Sequence, residues 1–597
     1  MKTKLLMGNE AIGLGAIRAG VNVVCGYPGT PSTEVLETIA KYRGNDIYVE
    51  WSVNEKVALE VAAGAAYAGA RTLVTMKQVG LNVASDPLMS LIYIGIKGGM
   101  VVLVADDPGP ISSQTEQDTR HFARYAHLPV FDPSTPEEAY TMIGEAFALS
   151  EKYNTPVLFR PTTQVCHACA SVETDDERYR NKIAGFIKDP KWVIFPRLSY
   201  QNHIKIDANE AKISQDFSVS PYNHISGQGP LGIVGCGVSF TYVTEALTTI
   251  NTPVKVLKLA TPHPFPDKLA ITFLQGLEEV LVIEELDPVV EENLLRLCGK
   301  LSLAVRITGK LTKAMPVAGK YSYEIVAAAI SKFLGQAQAA LPKTVELPQL
   351  PLRPPVLCAG CPHRASFYSV KQALKKTGQK AVFTGDIGCY TLGNAQPLDM
   401  VDTCLCMGAG ITIAQGLQLA EPDRKQIAFI GDSTFFHTGI PGIINAVYNE
   451  TDITVIILDN STTAMTGHQP HPGTGKTMMG NISEKISIEN VLKGCGVPFV
   501  AKANPLNLAQ AVETVIAAVN HQGVSVVIFE APCIAIVKPN AFQEIKESCI
   551  GCKKCIKEIG CPAMSAVDDK VTINPHLCYG CQLCGQICPV QAIGGLN

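Results

Sequence analysis

Short apolar runs, rich in β-branched residues and ending in Gly or a polar residue, recur along most of this 597-residue chain. They occupy residues 21–25, 72–76, 100–105, 231–235, 279–283, 426–430, 453–458 and 524–529. A strand that is apolar at successive positions, not at alternate ones, is buried on both faces. Between the runs lie Ala-, Leu- and Gly-rich stretches of helical length, such as 55–70 and 408–419. Strands and helices alternating in this way predict parallel sheets with helices on both sides. The pattern forms three blocks, so the expected fold class is α/β with three parallel-sheet domains.

Shifts in composition mark the joints. Residues 175–209 are charged and irregular, and 336–355 are Pro-rich, which suits neither a helix nor a central strand. A third joint falls near 537–547. The division is a first domain at 1–175, an irregular linker at 176–228, a middle α/β domain at 229–338, a further α/β domain at 339–540 and a cysteine-rich module at 541–597.

Charge and hydropathy narrow the function. Lys and Arg total 50 against 54 Asp and Glu, a net charge of −4, which leaves no footprint for nucleic acid. No apolar run approaches the ~18 residues that span a bilayer, and Leu5-Leu6-Met7 is too short for a signal-peptide core. We expect a cytoplasmic protein, in which clustered cysteines read as metal ligands and not as disulfides.

Eight of the twenty cysteines lie between Cys549 and Asn597. They read Cys549-x2-Cys552-x2-Cys555-x5-Cys561-Pro562, then Cys578-x2-Cys581-x2-Cys584-x3-Cys588-Pro589. Three close thiolates can hold three corners of an iron–sulfur cubane, and the fourth corner needs a ligand from farther away. Cys-x2-Cys pairs also build zinc modules, but two tandem runs that each end in Cys-Pro oppose that reading. The module resembles a bacterial two-[4Fe–4S] ferredoxin. The resemblance implies one cluster on Cys549, Cys552, Cys555 and Cys588, and another on Cys578, Cys581, Cys584 and Cys561. The gap before Cys561 is longer than usual, which should alter one cluster's loop.

Upstream, the run at 426–430 leads into Gly431-Asp432-Ser433, and that at 453–458 leads into Asp459-Asn460-Ser461-Thr462. Parallel strands place such residues at their carboxyl ends, where open α/β sheets bind ligands. An Asp, an Asn and a backbone carbonyl suit Mg²⁺, which keeps diphosphate oxygens among its ligands. Gly431 would allow a tight turn, and the helix after it could point N–H groups at the anion.

Gly-Asp followed after this spacing by Asn resembles the thiamine diphosphate signature. That resemblance implies Asp432, Asn460 and the Thr462 carbonyl as the Mg²⁺ ligands; Ser433 stands where the family commonly has Gly. Thr466-Gly467-His468-Gln469 is similar to a Thr-Gly-x-Gln stretch of the 2-oxoacid:ferredoxin oxidoreductases. Near the N-terminus, residues 26–34 should leave a strand and open a helix with Ser or Thr caps. Glu55 then heads a small-residue helix, where the helix dipole alone would also favour it. Both segments resemble the pyrimidine-binding domain of the same oxidoreductases. On that match Glu55 is the carboxylate that meets the aminopyrimidine, with Glu60 as the alternative, and Thr30 lies beside the substrate.

Gly385-Asp386-Ile387-Gly388-Cys389, Cys358-Ala359-Gly360-Cys361-Pro362-His363-Arg364, Gly431-Asp432 and the cysteine module occur together on this chain. That layout resembles the large subunits of indolepyruvate ferredoxin oxidoreductases over essentially the whole length. The resemblance implies oxidative decarboxylation of aryl-pyruvates, with coenzyme A accepting the acyl group and an external ferredoxin the electrons. It also implies a smaller beta subunit, in a hetero-oligomer containing two alpha subunits. Other readings are a pyruvate or branched-chain 2-oxoacid oxidoreductase, and an electron-transfer subunit without catalysis. Cys358, Cys361, Cys389 and Cys533 loosely match a proximal third cluster; a zinc knuckle and buried thiols stay open for Cys358 and Cys361.

The remaining candidates are weaker. Cys166 and Cys169 read as ordinary thiols, and Cys25, Cys236, Cys298 and Cys495 as core. His437, His468 and His471 flank the diphosphate motif, as a proton relay or as structure. Gly13-Leu14-Gly15 and Gly408-Ala409-Gly410 lack dinucleotide spacing and read as close helix packing.

Overall fold

The computed structural model describes residues 2–175, 177–250, 252–336, 348–351, 354–567 and 570–595. The chain divides into two compact units, 1–347 and 348–597. Most of the Pro-rich joint, with the boundary at 338/339, lies outside the described residues, as does Asp176.

The first unit holds two large sheets and a two-stranded antiparallel pair, Lys2–Met7 with Cys169–Thr174. Strands β1 (Val23–Gly26), β2 (Tyr48–Trp51), β3 (Thr72–Lys77), β4 (Met100–Ala105), β5 (Val130–Phe131) and β6 (Val157–Phe159) are all parallel, in the order β2-β1-β3-β4-β6-β5. The second sheet comprises β7 (His224–Gly227), β8 (Leu231–Cys236), β9 (Lys255–Leu259), β10 (Glu279–Ile283) and β11 (Arg306–Thr308). Its order is β11-β10-β8-β9-β7, with only β7 antiparallel.

Buried ion pairs gather at the first sheet's strand ends, and one of them, Arg120–Glu284, crosses to the second sheet. Arg160 at the end of β6 pairs with Asp106 (2.7 Å) and Asp132 (2.8 Å). Arg120 pairs with Asp118 (2.6 Å) and with Glu284 (2.7 Å), which follows β10. The stretch expected to be irregular linker instead contains a 23-residue helix, Pro196–Ser218, and then β7. Only Ile213 and Phe217 of that helix are buried, so its sequence carries almost no apolar periodicity to read.

The second unit contains β12 (Ala381–Gly385), β13 (Thr403–Cys404), β14 (Lys425–Gly431), β15 (Thr454–Asp459), β16 (Phe499–Ala503) and β17 (Ser525–Glu530). All are parallel, and the order β13-β12-β14-β15-β17-β16 repeats that of the first sheet. Successive residues of β14 feed opposite cores: Ile427 and Phe429 pack with Phe367 and Val370, while Ala428 and Ile430 pack with Phe435 and Ile443. This is why the run is apolar at every position.

The cysteine-rich module has two short helices, Lys554–Lys557 and Leu583–Ile587, and two antiparallel strand pairs. It is seated on the third sheet's domain. Ile559, Met564, Leu583 and Ile587 form one buried cluster with Ala365 and Tyr368. Gln586 donates to the Leu506 carbonyl (2.7 Å) and accepts from the Leu508 amide (2.9 Å). At Gly360 (φ +78°) a Cβ would lie 2.4 Å from the Tyr579 Cβ, so only glycine permits this approach.

Candidate active site

In the second unit the strand order reverses between β12 and β14, the position where open α/β sheets bind ligands. Asp432 follows β14, and Asn460 follows the neighbouring β15; both are buried. Asp432 Oδ1 accepts from the Ser433 amide (2.9 Å) and Oδ2 from the Ser461 amide (2.8 Å), which ties the two strand ends together. Asn460 Oδ1 accepts from the Thr462 amide (3.2 Å), and Thr463 Oγ1 donates to Ser433 Oγ (2.9 Å). Asp432, Ser433, Asn460 and Thr462 are thus brought together. From Asp432 the chain stays helical to Tyr448, interrupted by a π-turn at Phe435–Gly439.

The sequence reasoning gave Asp459 no role here and left His471 as a relay or as structure. Asp459 ends β15 close to Asp432; burial, then the Asp432 charge, pushes its carboxyl up to about 6. His471 Nε2 lies 3.0 Å from Asp432 Oδ2. Two carboxylates in one buried pocket favour a cation between them, and the donor set of carboxylate, amide oxygen and backbone carbonyl fits Mg²⁺. His363 was hidden behind the cysteines of its motif. It is buried, and burial holds its imidazole down to about 4, so it is neutral. Its Nε2 accepts from Asn460 Nδ2 (3.2 Å), which leaves Asn460 Oδ1 as the end facing Thr462.

Other expectations change. Gly431 has φ −79°, so no tight turn requires it. Instead a Cβ there would lie 2.7 Å from the Tyr390 ring. That ring is buried, and its hydroxyl bonds Asp386 and Thr434 (3.1 Å to Oγ1). His437 is buried with Nδ1 3.2 Å from Thr438 Oγ1, and His468 is exposed. Of the three histidines, His471 is the one seen on a proposed ligand. Cys25, Cys236 and Cys298 are buried as expected, whereas Cys495 is only half-buried.

Cys358 and Cys361, Cys389, and Cys533 come from three separate points of the chain; Cys358 lies within electrostatic reach of the other three, and Cys389 also of Cys361 and Cys533. Burial, reinforced by neighbouring thiols, pushes Cys361 up to about 12 and Cys389 up to about 11. The Cys533 amide donates to the Asn460 carbonyl (2.9 Å), which puts this group beside the diphosphate motif.

The eight cysteines of the module divide between two cavities. Cys561, Cys578, Cys581 and Cys584 line one. Cys549, Cys552, Cys555 and Cys588 line the other. Each set takes three thiols from one run and one from the other. The thiols surround a volume, and among the described residues no three Cys, His, Asp or Glu side chains converge on a single ion. Amide donors reach two of the sulfurs, Gln543 N to Cys578 Sγ (3.5 Å) and Ala592 N to Cys588 Sγ (3.3 Å). Such amides accompany clusters, whose charge they offset.

In the first unit the order reverses between β1 and β3. Glu55 is the first residue of the helix Glu55–Tyr67 and is buried; Asn54 caps this helix by accepting from the Val57 amide (2.9 Å). A Cβ on Gly80 would lie 2.5 Å from Glu55 Oε1, so the carboxylate lies against the start of the next helix. Glu60, the alternative, is exposed and paired with Lys56. The helix Thr33–Tyr42 forms after the Thr30 loop, but Ser32 does not cap it. Its hydroxyl donates to the Gly29 carbonyl (2.9 Å) instead.

Lys77, at the end of β3, was not foreseen. Its stem packs on Gly29, and its Nζ donates to the Ser112 carbonyl (2.9 Å), while Ser112 Oγ donates to the Thr30 carbonyl (2.9 Å). Burial pushes Lys77 down, against the charges of Asp107 and Glu55. It therefore ties the Thr30 loop, through Ser112, to the end of β3, within electrostatic reach of Glu55. The signal available in the sequence was a lysine directly at a strand's carboxyl end.

Comparison with known proteins accords with this geometry. Residues 14–206 match the family model "Pyruvate flavodoxin/ferredoxin oxidoreductase, thiamine diP-bdg", and 386–529 match "Thiamine pyrophosphate enzyme, C-terminal TPP binding domain". A protein of Methanothermobacter marburgensis named indolepyruvate oxidoreductase subunit IorA is 45% identical, covering 98% of this chain and 96% of its own. One of Archaeoglobus fulgidus with the same name is 41% identical, covering 98% and 97%. This chain belongs to the indolepyruvate oxidoreductase subunit IorA family.

As a member of that family it is an oxidoreductase of the 2-oxoacid:ferredoxin class with thiamine-diphosphate-binding domains. A 2-oxoglutarate synthase subunit KorB of A. fulgidus is 28% identical over 33% of this chain and 77% of its own. Among the described residues no helix is long and apolar enough to cross a membrane.

Proposed function

We propose that this chain is the thiamine-bearing subunit of an enzyme that oxidatively decarboxylates aryl-pyruvates, indolepyruvate among them. One 2-oxoacid and one coenzyme A give one aryl-acetyl-CoA, one CO₂ and one proton, and two electrons pass singly to ferredoxin. The observation that carries the reading is whole-length identity of 40–45% to proteins named for indolepyruvate oxidation. The reading includes a smaller partner subunit, assembly around two alpha subunits, an external ferredoxin and a cytoplasmic location.

Thiamine diphosphate, when bound, supplies the carbon nucleophile that splits the bond between the 2-oxo carbon and the carboxylate. Asp432, Asn460 and the Thr462 carbonyl would hold Mg²⁺ against the diphosphate, with Gly431 and Ser433 lining that end. The Ser433 and Ser461 amides orient the Asp432 carboxylate. Neutral His363 fixes the amide of Asn460 so that its oxygen is available. Glu55 would meet the aminopyrimidine as its carboxylate partner, and burial excludes water from it. Thr30 would contact the substrate. Cys549, Cys552, Cys555 and Cys588 would carry one [4Fe–4S] cluster, and Cys578, Cys581, Cys584 and Cys561 another. Cys358, Cys361, Cys389 and Cys533 would carry a third, beside the diphosphate.

The test is Glu55→Ala in the enzyme assembled with its partner subunit. Aryl-pyruvate oxidation should fall by at least 10³-fold while iron content stays unchanged; wild-type turnover would sink the assignment. Comparing ferredoxin reduction with indolepyruvate and with pyruvate separates the main reading from a pyruvate oxidoreductase. Absence of bound thiamine after gentle purification would favour an electron-transfer subunit.

A further inference from the structure

Arg364 is a buried guanidinium between two groups of thiols. It follows Cys361 at the start of the helix Pro362–Thr377 and is 4% exposed. It also lines the cavity of Cys561, Cys578, Cys581 and Cys584. Its charge is within reach of Cys561 and Cys581 on one side and of Cys358 and Cys361 on the other. Among the described residues no carboxylate is a hydrogen-bond partner of Arg364. Nη1 donates to the Ile559 and Gly560 carbonyls, the latter at 3.0 Å. Nη2 donates to the Leu357 carbonyl (2.5 Å) and more weakly to that of Cys358 (3.5 Å). Nε is buried without a hydrogen-bond partner among the described residues.

A buried cation that lacks a counter-ion, and has a donor to spare, costs stability unless something negative sits beside it. Four carbonyls solvate Arg364 without neutralising it. With iron bound, the cysteine sulfurs on either side would be the negative charge in reach, and a cubane with four thiolates keeps a net negative charge that grows by one on reduction. The two cavities differ here, because the one formed by Cys549, Cys552, Cys555 and Cys588 is lined by Lys553 and Lys554 but not by Arg364. The inner cavity also borders Gly360 and Cys361, next to the diphosphate motif, so electrons from that side reach it before the outer one.

We propose that Arg364 is a positioning residue for electron transfer, raising the reduction potential of the cluster on Cys561, Cys578, Cys581 and Cys584 above that of the outer cluster. This rests on the reading that the two cavities hold [4Fe–4S] clusters. The fixed positive charge favours the reduced state, and an N–H···S bond from Nε would add to it. The inner cluster then accepts each electron promptly and holds it until the outer cluster and ferredoxin draw it onward. A lysine at this site keeps the charge but loses the planar fork that binds both chain segments.

The test is a redox titration, followed by electron paramagnetic resonance, of the assembled holoenzyme and of Arg364→Gln and Arg364→Lys. In Arg364→Gln one cluster component of the module should become about tenfold harder to reduce, about 59 mV for one electron. The other should keep its midpoint as an internal control. Arg364→Lys should stay within about threefold of wild type, and Cys578→Ser should abolish the component that moved. Unchanged midpoints in a fully iron-loaded Arg364→Gln protein would overturn the proposal. Wild-type enzyme without reduced [4Fe–4S] signals would instead overturn the cluster reading beneath it. If Arg364→Gln does not fold, wild-type protein labelled with ¹⁵N-arginine decides. Arginine nitrogen coupled to a reduced cluster supports the proposal, and no coupling refutes it.

Discussion

At the scale of single residues, the site depends on side chains that touch no substrate. His363 is one: a neutral imidazole accepts from the Asn460 amide and so selects which end of that amide is presented as an oxygen. Partners behind a metal ligand typically matter 10–100-fold in affinity. His363→Ala should therefore weaken Mg²⁺ and thiamine diphosphate binding by about 10–100-fold, measured by cofactor titration, with iron content retained. Gly431 makes a different demand, for space and not for backbone freedom. Gly431→Ala would press on Tyr390 and disturb its bonds to Asp386 and Thr434, costing about 1–3 kcal/mol in denaturant unfolding.

At the scale of elements, the strands were legible because burial on both faces writes itself into the sequence. The runs at 100–105 and 279–283 coincide with β4 and β10, and β14 and β15 exceed or shift from their expected bounds by one residue. The same pattern located Asp432 and Asn460, since both sit where an apolar run stops. What was illegible has physical causes. The helix Pro196–Ser218 buries two side chains and shows no stripe. Asp459, Lys77 and His363 act through neighbours that only folding supplies, so no spacing announces them. Helix caps fell between these cases: Asn54 caps the helix of Glu55, whereas Ser32 turns its hydroxyl back to Gly29. Asn54→Ala should destabilise the chain by about 1 kcal/mol in thermal or denaturant unfolding.

At the scale of the whole molecule, the first unit carries a buried polar seam where its two sheets join. Glu285 lies in it, with Oε1 accepting from the Tyr321 amide (2.7 Å) and from Gln164 (3.3 Å), while Oε2 is buried without a hydrogen-bond partner among the described residues. Burial pushes its carboxyl up to about 7, against an ordinary 4.5. The folded chain therefore keeps this proton to higher pH than the unfolded chain. The stability that goes with the proton is complete below about pH 4.5 and is lost as pH rises through about 7. Glu285→Gln should match wild type at pH 4 and exceed it by up to about 3 kcal/mol at pH 8. Equal stability of the two proteins at pH 8 would refute this.

The seating of the cysteine module on the third sheet's domain has a kinetic consequence. Its contacts include a glycine approach that admits no Cβ, a buried apolar cluster and the four carbonyls gathered by Arg364. On the proposed reading, in which the module carries clusters, a module held in this way is a fixed relay and not a carrier that swings on a tether. Electron hops inside the chain should then proceed at rates insensitive to glycerol, while the encounter with an external acceptor slows in proportion to solvent viscosity.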